Sequence, residues 1–141
     1  MRNIFGKQAE PSAYPKTDSG SGQLKDYGYD LIPLKKSTVI QLADSDSHQD
    51  TLADLVNAAD VQAFIAPRTT EEERTDAPVP VRLFVESRMT PVVGMVPRGL
   101  EPAVLEALVR LERAGKSTRI PAAVVSTKNG LRVNLLMGQT R

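Results

Sequence analysis

The chain has 141 residues, is 40% hydrophobic and 25% charged, and carries a net charge of +1, the composition of one folded domain of ordinary size. No run approaches the roughly 18 consecutive apolar residues of a membrane-spanning helix, and "MRNIFGKQAE" lacks the apolar core of a secretory signal. Without cysteine there is neither a disulfide framework nor a thiolate metal site, and the expected location is cytoplasmic.

Residues 1–33, with "PSAYPKTDSGSGQLKDYGYD", are rich in Pro, Gly, Ser and Asp. Such a segment buries too little surface to offset its ordering entropy, so a disordered polar tail is expected there, followed by a single domain over 34–141. Tyr27, Tyr29, Leu31 and Ile32 are its candidate contacts, either onto the domain or onto a larger protein partner. "STVIQLA" (37–43) is a β-rich run and predicts the first strand. A helix is expected next, with Leu52, Leu55, Val56 and Ala59 as its apolar face.

"VQAFIAP" (61–67) predicts a second strand, and "RTTEEERTDAP" an exposed charged loop. In "VPVRLFVES" (79–87), Val81, Leu83 and Val85 alternate with Arg82, Phe84 and Glu86, as in a half-buried strand. A turn through 88–91 returns the chain as "VVGMVP", completing a hairpin. "GLEPAVLEALVRLERAGKS" is the strongest helix, with Pro102 in its first turn, Gly115 at its stop, and Leu105, Leu108, Val109 and Leu111 toward the core. "RIPAAVVS", "TKNG" and "LRVNLLM" predict a second hairpin turning at Asn129-Gly130. The order β-α-β-ββ-α-ββ gives a mainly β, α+β domain: a small antiparallel sheet or partly closed barrel with two helices.

The charge is uneven along the chain. Residues 1–80 carry a balance of −5, and residues 81–141 a balance of +6. Either the basic half presents a surface to polyanions, or the two halves fold together and their fields partly cancel. The one histidine, His48, lies in "SDSHQDTLADLV". Ser47 with Asp50 three residues on resembles a capping box, which would make His48 a first-turn residue. A catalytic reading would pair His48 with Asp44 or Asp46 and need Ser45 or Ser47 as nucleophile, a geometry that serines so near in sequence rarely reach. The same acids lack the glycine and distal glutamate of a calcium loop. No catalytic residue, metal ligand set or cofactor loop is nominated, and an enzyme is not expected.

The stretch "ADSDSHQDTLADLV" after a strand, then "VPVRLFVE", "PVVGMVPRGLEPAVLEALVRLERAG" and "IPAAVV", resembles in order the HIRAN-like domain of actinobacterial proteins over about 37–137. The resemblance implies an OB-like barrel that binds single-stranded DNA at its 3′ end. It places Arg98 where the family has a basic residue after its "VGYL" strand, and Ser47 and His48 in the turn that faces the ligand. The family's Asn-Pro-Tyr-Asp-x-Asn-Ala segment is missing, the region being shortened to "FVESRMTPVVGMV", and this weakens the 3′-end inference. Arg82, Arg98 and Arg132 are then the candidate nucleic-acid-binding cations, together with Ser47 and His48. Convergence of Arg82, Arg98, Arg119 and Arg132 on one groove would favour nucleic acid, and their dispersal would count against it. Phe64 and Phe84 are the only aromatics in the domain; burial is the expectation for both, with Phe84 as an exposed platform the alternative. Two functions stay open: a non-enzymatic module for single-stranded nucleic acid, or an accessory subunit whose N-terminal segment docks on a larger protein.

Overall fold

A computed structural model describes residues 14–141. Six antiparallel strands, β1 (Ile40–Gln41), β2 (Gln62–Phe64), β3 (Pro80–Val85), β4 (Arg88–Met95), β5 (Ile120–Thr127) and β6 (Gly130–Leu135), form one curled sheet in the order β1-β6-β5-β2-β3-β4. The ends of this sheet meet: Ala43, just past β1, exchanges both backbone bonds with Met95 of β4 at 2.8 Å. The expected partly closed antiparallel barrel is therefore the fold. Among the described residues the α-helices are α1 (Gln49–Ala53), α2 (Thr70–Arg74) and α3 (Glu101–Arg113), one more than the sequence suggested.

The period-2 pattern of β3 works as predicted. Val81, Leu83 and Val85 are buried, while Arg82 points outward and Phe84 is half-buried on that same side. With Ile40, Leu42, Ala63, Ile120, Val133 and Leu135 the inward side chains fill the barrel, and each fully buried aliphatic side chain stabilises by about 1.5–3 kcal/mol. The turn between β3 and β4 comes two residues earlier than expected, at Glu86 (φ 50°) and Ser87 (φ 66°). Pro91 then sits within β4, at the sheet's edge, where no partner needs the N–H that proline lacks.

Three elements differ from the sequence reading. α1 stops at Ala53, leaving Val56 40% exposed and Ala59 exposed; only Leu52 is buried, with Leu55 packed partly behind it. The weak helix formers Asp54 and Asn57 lie where the pattern asked for a further turn. "RTTEEERTDAP" contains a helix in place of a loop, because Thr69 and Glu72 make a capping box: Thr69 Oγ1 accepts from Glu72 N–H at 3.1 Å, and Glu72 Oε1 accepts from Thr69 N–H at 2.8 Å. In α3 the buried face is Ala103, Val104, Ala107 and Leu108, with Leu105 and Leu111 only packed against it and Val109 exposed. The two alanines let the helix approach the barrel closely, rotating the inward face away from Val109. α3 ends in a Schellman motif, Lys116 N–H donating to Leu111 C=O and Gly115 (φ 71°) to Glu112 C=O.

The expected tail changes most. Residues 1–13 lie outside the described residues; residues 14–33 are laid on the barrel as a strap of 3-10 turns. Ser21 exchanges two 3.0 Å backbone bonds with Gln41 on the side of β1 away from β6, beside the Ala43–Met95 closure. Gly20 (φ 75°) makes this approach feasible: a Cβ there would press on the Gln41 carbonyl and lie 2.6 Å from Pro97 Cγ. Gly20→Ala should therefore cost about 1–2 kcal/mol for the left-handed backbone and about 1–3 kcal/mol more for overpacking. Gly99→Ala (φ 95°, nothing within 4 Å of its Cβ) should carry only the backbone cost. Denaturant melts of the two variants test this, and equal losses would show that the strap is not held as described.

Candidate nucleic-acid interface

The four arginines of the sequence-based test do not converge. Arg132, on β6, is 2% exposed. Its guanidinium donates to the carbonyls of Leu131 (2.8 Å) and Thr17 (3.1 Å) and to Asp46 Oδ1 (2.7 Å), with Asp18 Oδ1 at 3.7 Å. Asp18, itself 3% exposed, accepts from the N–H groups of Ser45 (2.8 Å) and Asp46 (3.1 Å). A charge so enclosed by its own chain cannot reach a phosphate, so Arg132 is a structural cation and not a binding one.

Arg98 is also occupied. It donates to Asp76 Oδ2 at 2.8 Å and to the Asp76 carbonyl at 2.6 Å, and stands 3.0 Å from Glu101, a carboxylate 4% exposed. Arg68 reaches the same two acids from the other side, 3.1 Å from Asp76 and 3.9 Å from Glu101. Two arginines shared between two acids leave little net charge for a ligand.

Ser47 is exposed and His48 half-buried, in a 3-10 turn over Asp46–His48 that runs into α1. Ser47 does not cap the helix: the residue at that position is His48, without a side-chain cap bond. Gln49 holds the turn instead, its Nε2 donating to the Ser45 and Leu131 carbonyls and its Oε1 accepting from Leu131 N–H. Ser45, the other nucleophile considered, is buried with its hydroxyl donated to the Val93 carbonyl.

Arg82 and Arg119 remain, and they share one surface. In the register of β2 and β3, Phe64 lies opposite Arg82 and Gln62 opposite Phe84. All four project from the outward face of the sheet, Phe64, Phe84 and Gln62 half-buried and Arg82 exposed. Pro121 of β5 pairs with Gln62 on its other side, and Arg119, just before β5, brings its guanidinium carbon 4.0 Å from the centre of the Phe84 ring. Arg119 also donates to Gln62 Oε1 at 3.4 Å. Arg82 makes one long bond, 3.5 Å, to the Thr90 carbonyl. Among the described residues neither arginine has a carboxylate partner. A shallow cleft between Phe64, Arg68, Pro80 and Arg82 adjoins the pair.

Phe64 and Phe84 are thus half-buried on the outward face of the sheet, between the burial expected for both and the exposed platform considered for Phe84. The parity of "VRLFV" already put Phe84 beside Arg82, and the same alternation in "VQAFI" puts Phe64 outward. What the sequence could not supply was the cross-strand register that joins them to each other and to Arg119.

The partner-docking residues separate too. Tyr27 is 8% exposed and belongs to the core, and Leu31 packs against it. Ile32 is half-buried in the turn, whereas Tyr29 is 88% exposed. Tyr27 and Leu31 are therefore held by the chain's own barrel and are not free for a partner. The Tyr27 hydroxyl has no hydrogen-bond partner among the described residues, and desolvation, with Asp26 nearby, pushes its pKa up to about 12.

Compared with known proteins, the chain matches no family model, no curated protein and no solved structure. Among the described residues no helix is long and apolar enough to cross a membrane.

Two outcomes follow from the side chains placed here. Arg132→Met should destabilise by about 3–5 kcal/mol, because it leaves a buried carboxylate uncompensated; Asp18→Asn in the same chain should recover part of the loss, and both are read by chemical denaturation. Tyr27 stays neutral in the fold up to about pH 12 but ionises near pH 10 when unfolded. Its contribution is thus fully present below pH 10 and lost as the pH rises toward 12. Tyr27→Phe should be as stable as the parent at pH 7 and should lose less stability between pH 10 and 12, as followed by alkaline unfolding.

Proposed function

We propose that this chain is a non-enzymatic binding module of HIRAN-like type that holds single-stranded nucleic acid, DNA in the first instance, on the outward face of β2 and β3. One observation carries the proposal: two phenylalanines and two arginines without carboxylate partners share that face. Binding single strands without sequence preference needs aromatic or guanidinium planes for the bases and cations for the backbone. Phe64 and Phe84 are diagonal neighbours, a spacing of about 7–8 Å across a sheet, so each can present a ring to a different base. Arg119 can stack or reach phosphate, and Arg82 extends the positive charge beside Phe64. The HIRAN-like part of the proposal rests on the sequence resemblance. The shortened β3–β4 connection offers no Tyr-Asp pair for a 3′ end, so the proposal is binding along the strand. The cytoplasmic setting read from the sequence is part of the same proposal.

Fluorescence anisotropy with labelled single-stranded DNA, with free and blocked 3′ ends and at two salt concentrations, is the test. Binding should fall steeply with salt and be indifferent to the blocked end. Phe84→Ala should weaken it by about 1–3 kcal/mol, the range for losing one stacked base, and Arg132→Lys should leave the affinity of the folded protein unchanged. No binding at low salt would overturn the proposal. The accessory-subunit reading keeps one specific support, the exposed Tyr29 flanked by Leu24 and Leu34, exposed by 46% and 56% on the strap's outer side. Failure of DNA binding would move attention to that side.

A further inference from the structure

A second group of basic residues from the C-terminal half gathers away from the β2–β3 face. A cleft of about 400 Å³ lies at the C-terminal end of α3, lined by Arg110, Leu111, Arg113, Lys116, Thr140 and Arg141. The adjoining hollow shares Arg141 and adds Lys36. No acidic side chain lines either, and none of these five cations is in an ion pair among the described residues. By contrast, Arg68, Arg98 and Arg132 each meet two acids, and Arg74 meets Glu71.

Cations at a helix C-terminus commonly complement the dipole and bond the last carbonyls. That role is largely taken here. The carbonyls of Arg110, Leu111 and Glu112 accept from the N–H groups of Ala114, Lys116 and Gly115 at 2.9–3.0 Å. Arg110 turns across to the segment after β6 instead, donating to Thr140 Oγ1 at 3.2 Å and, more weakly, to the carbonyls of Asp30 and Leu31 at 3.4 Å. Its acceptors are all neutral, and its Nε–H is buried without a hydrogen-bond partner. The Thr140 hydroxyl is itself fixed by donating to the Met137 carbonyl at 2.7 Å, so Arg110 is held at the cleft by groups that do not neutralise it.

We propose that this cleft binds a free, multiply charged phosphate compound, an oligophosphate. The ligand class follows from the lining. Arginine forks match phosphate oxygens, and several cations around a small concave volume favour a compact anion over a long strand. No aromatic lines the cleft, so it lacks the stacking planes of the β2–β3 face, and the two sites are independent. Like charges held together without acids repel one another, and an oligophosphate relieves that repulsion in the folded state only. Its binding therefore stabilises the fold by mass action.

The probe is inorganic tripolyphosphate, added to the full chain and followed by isothermal titration and thermal unfolding, with sulfate at equal ionic strength as the control. Saturable binding with a rise in the unfolding midpoint beyond that in sulfate is expected. Arg113 and Lys116 are exposed and make no described side-chain bond, so Arg113→Gln with Lys116→Gln should fold as the parent does and lose affinity by about tenfold or more, since each tenfold corresponds to 1.4 kcal/mol. Arg82→Gln with Phe84→Ala should bind tripolyphosphate like the parent. Stabilisation no greater than in sulfate, or binding that survives the Arg113/Lys116 change, would overturn the proposal. Loss of tripolyphosphate binding in the Arg82/Phe84 variant would also overturn it, by placing the anion on the sheet face.

Discussion

The buried guanidinium of Arg132 ties together three parts of the chain that are remote in sequence. It stands on β6, holds Asp46 in the turn before α1, and meets Asp18 and the Thr17 carbonyl of the strap. Asp18 in turn anchors the backbone of Ser45 and Asp46. Several neutral and charged partners share the desolvation of one cation, the condition under which a buried charge is tolerable. Removing Arg132 leaves the Asp18 carboxylate enclosed without a cation. The strap, the closing strand and the entrance to α1 therefore depend on a single polar cluster at one side of the barrel.

With the strap in place the barrel's seam is covered. Ala43 pairs with Met95, and Ser21 covers the adjacent edge of β1. The open edge of β4 carries Arg88 and Pro91 and has irregular register against β3, features that oppose pairing with another chain's strand. The inward face of the sheet is filled. The outward face of β2 and β3 is where aromatic planes and positive charge coincide.

The basic residues sort by partner more than by position in sequence. Arg68, Arg98 and Arg132 are consumed by acids from the N-terminal half or from α3, so part of the charge asymmetry cancels inside the fold. Arg82 and Arg119 on the sheet, and Arg110, Arg113 and Lys116 at the end of α3, meet no acid among the described residues. Asymmetry along the chain left open whether a positive surface or cancellation would result, and the ion pairs of Arg98 and Arg132 show that part of it cancels. Of the cations nominated for nucleic acid, Arg98, placed by the family resemblance, and Arg132 are both neutralised by the fold.

Local pattern determined much of the architecture. The alternation of Val81, Leu83 and Val85, the Asn129-Gly130 turn, and the Pro102 and Gly115 ends of α3 were legible because strand, turn and cap chemistry act over a few residues. The Thr69–Glu72 capping box was legible too, though the charge of "TEEER" masked it. The strap was not: its order comes from backbone pairing with Gln41, from Tyr27 packing into the core and from Asp18 receiving bonds from Ser45 and Asp46, all remote in sequence. Nor could the sequence join Phe64, Phe84 and Arg119, or separate Arg82 from Arg132. Sequence alone determined which side chains face in or out along each strand, since that alternation is a property of the extended backbone. Only the tertiary structure decided which outward residues become neighbours and which cations keep their charge free, because both depend on cross-strand register and on acids brought from distant segments.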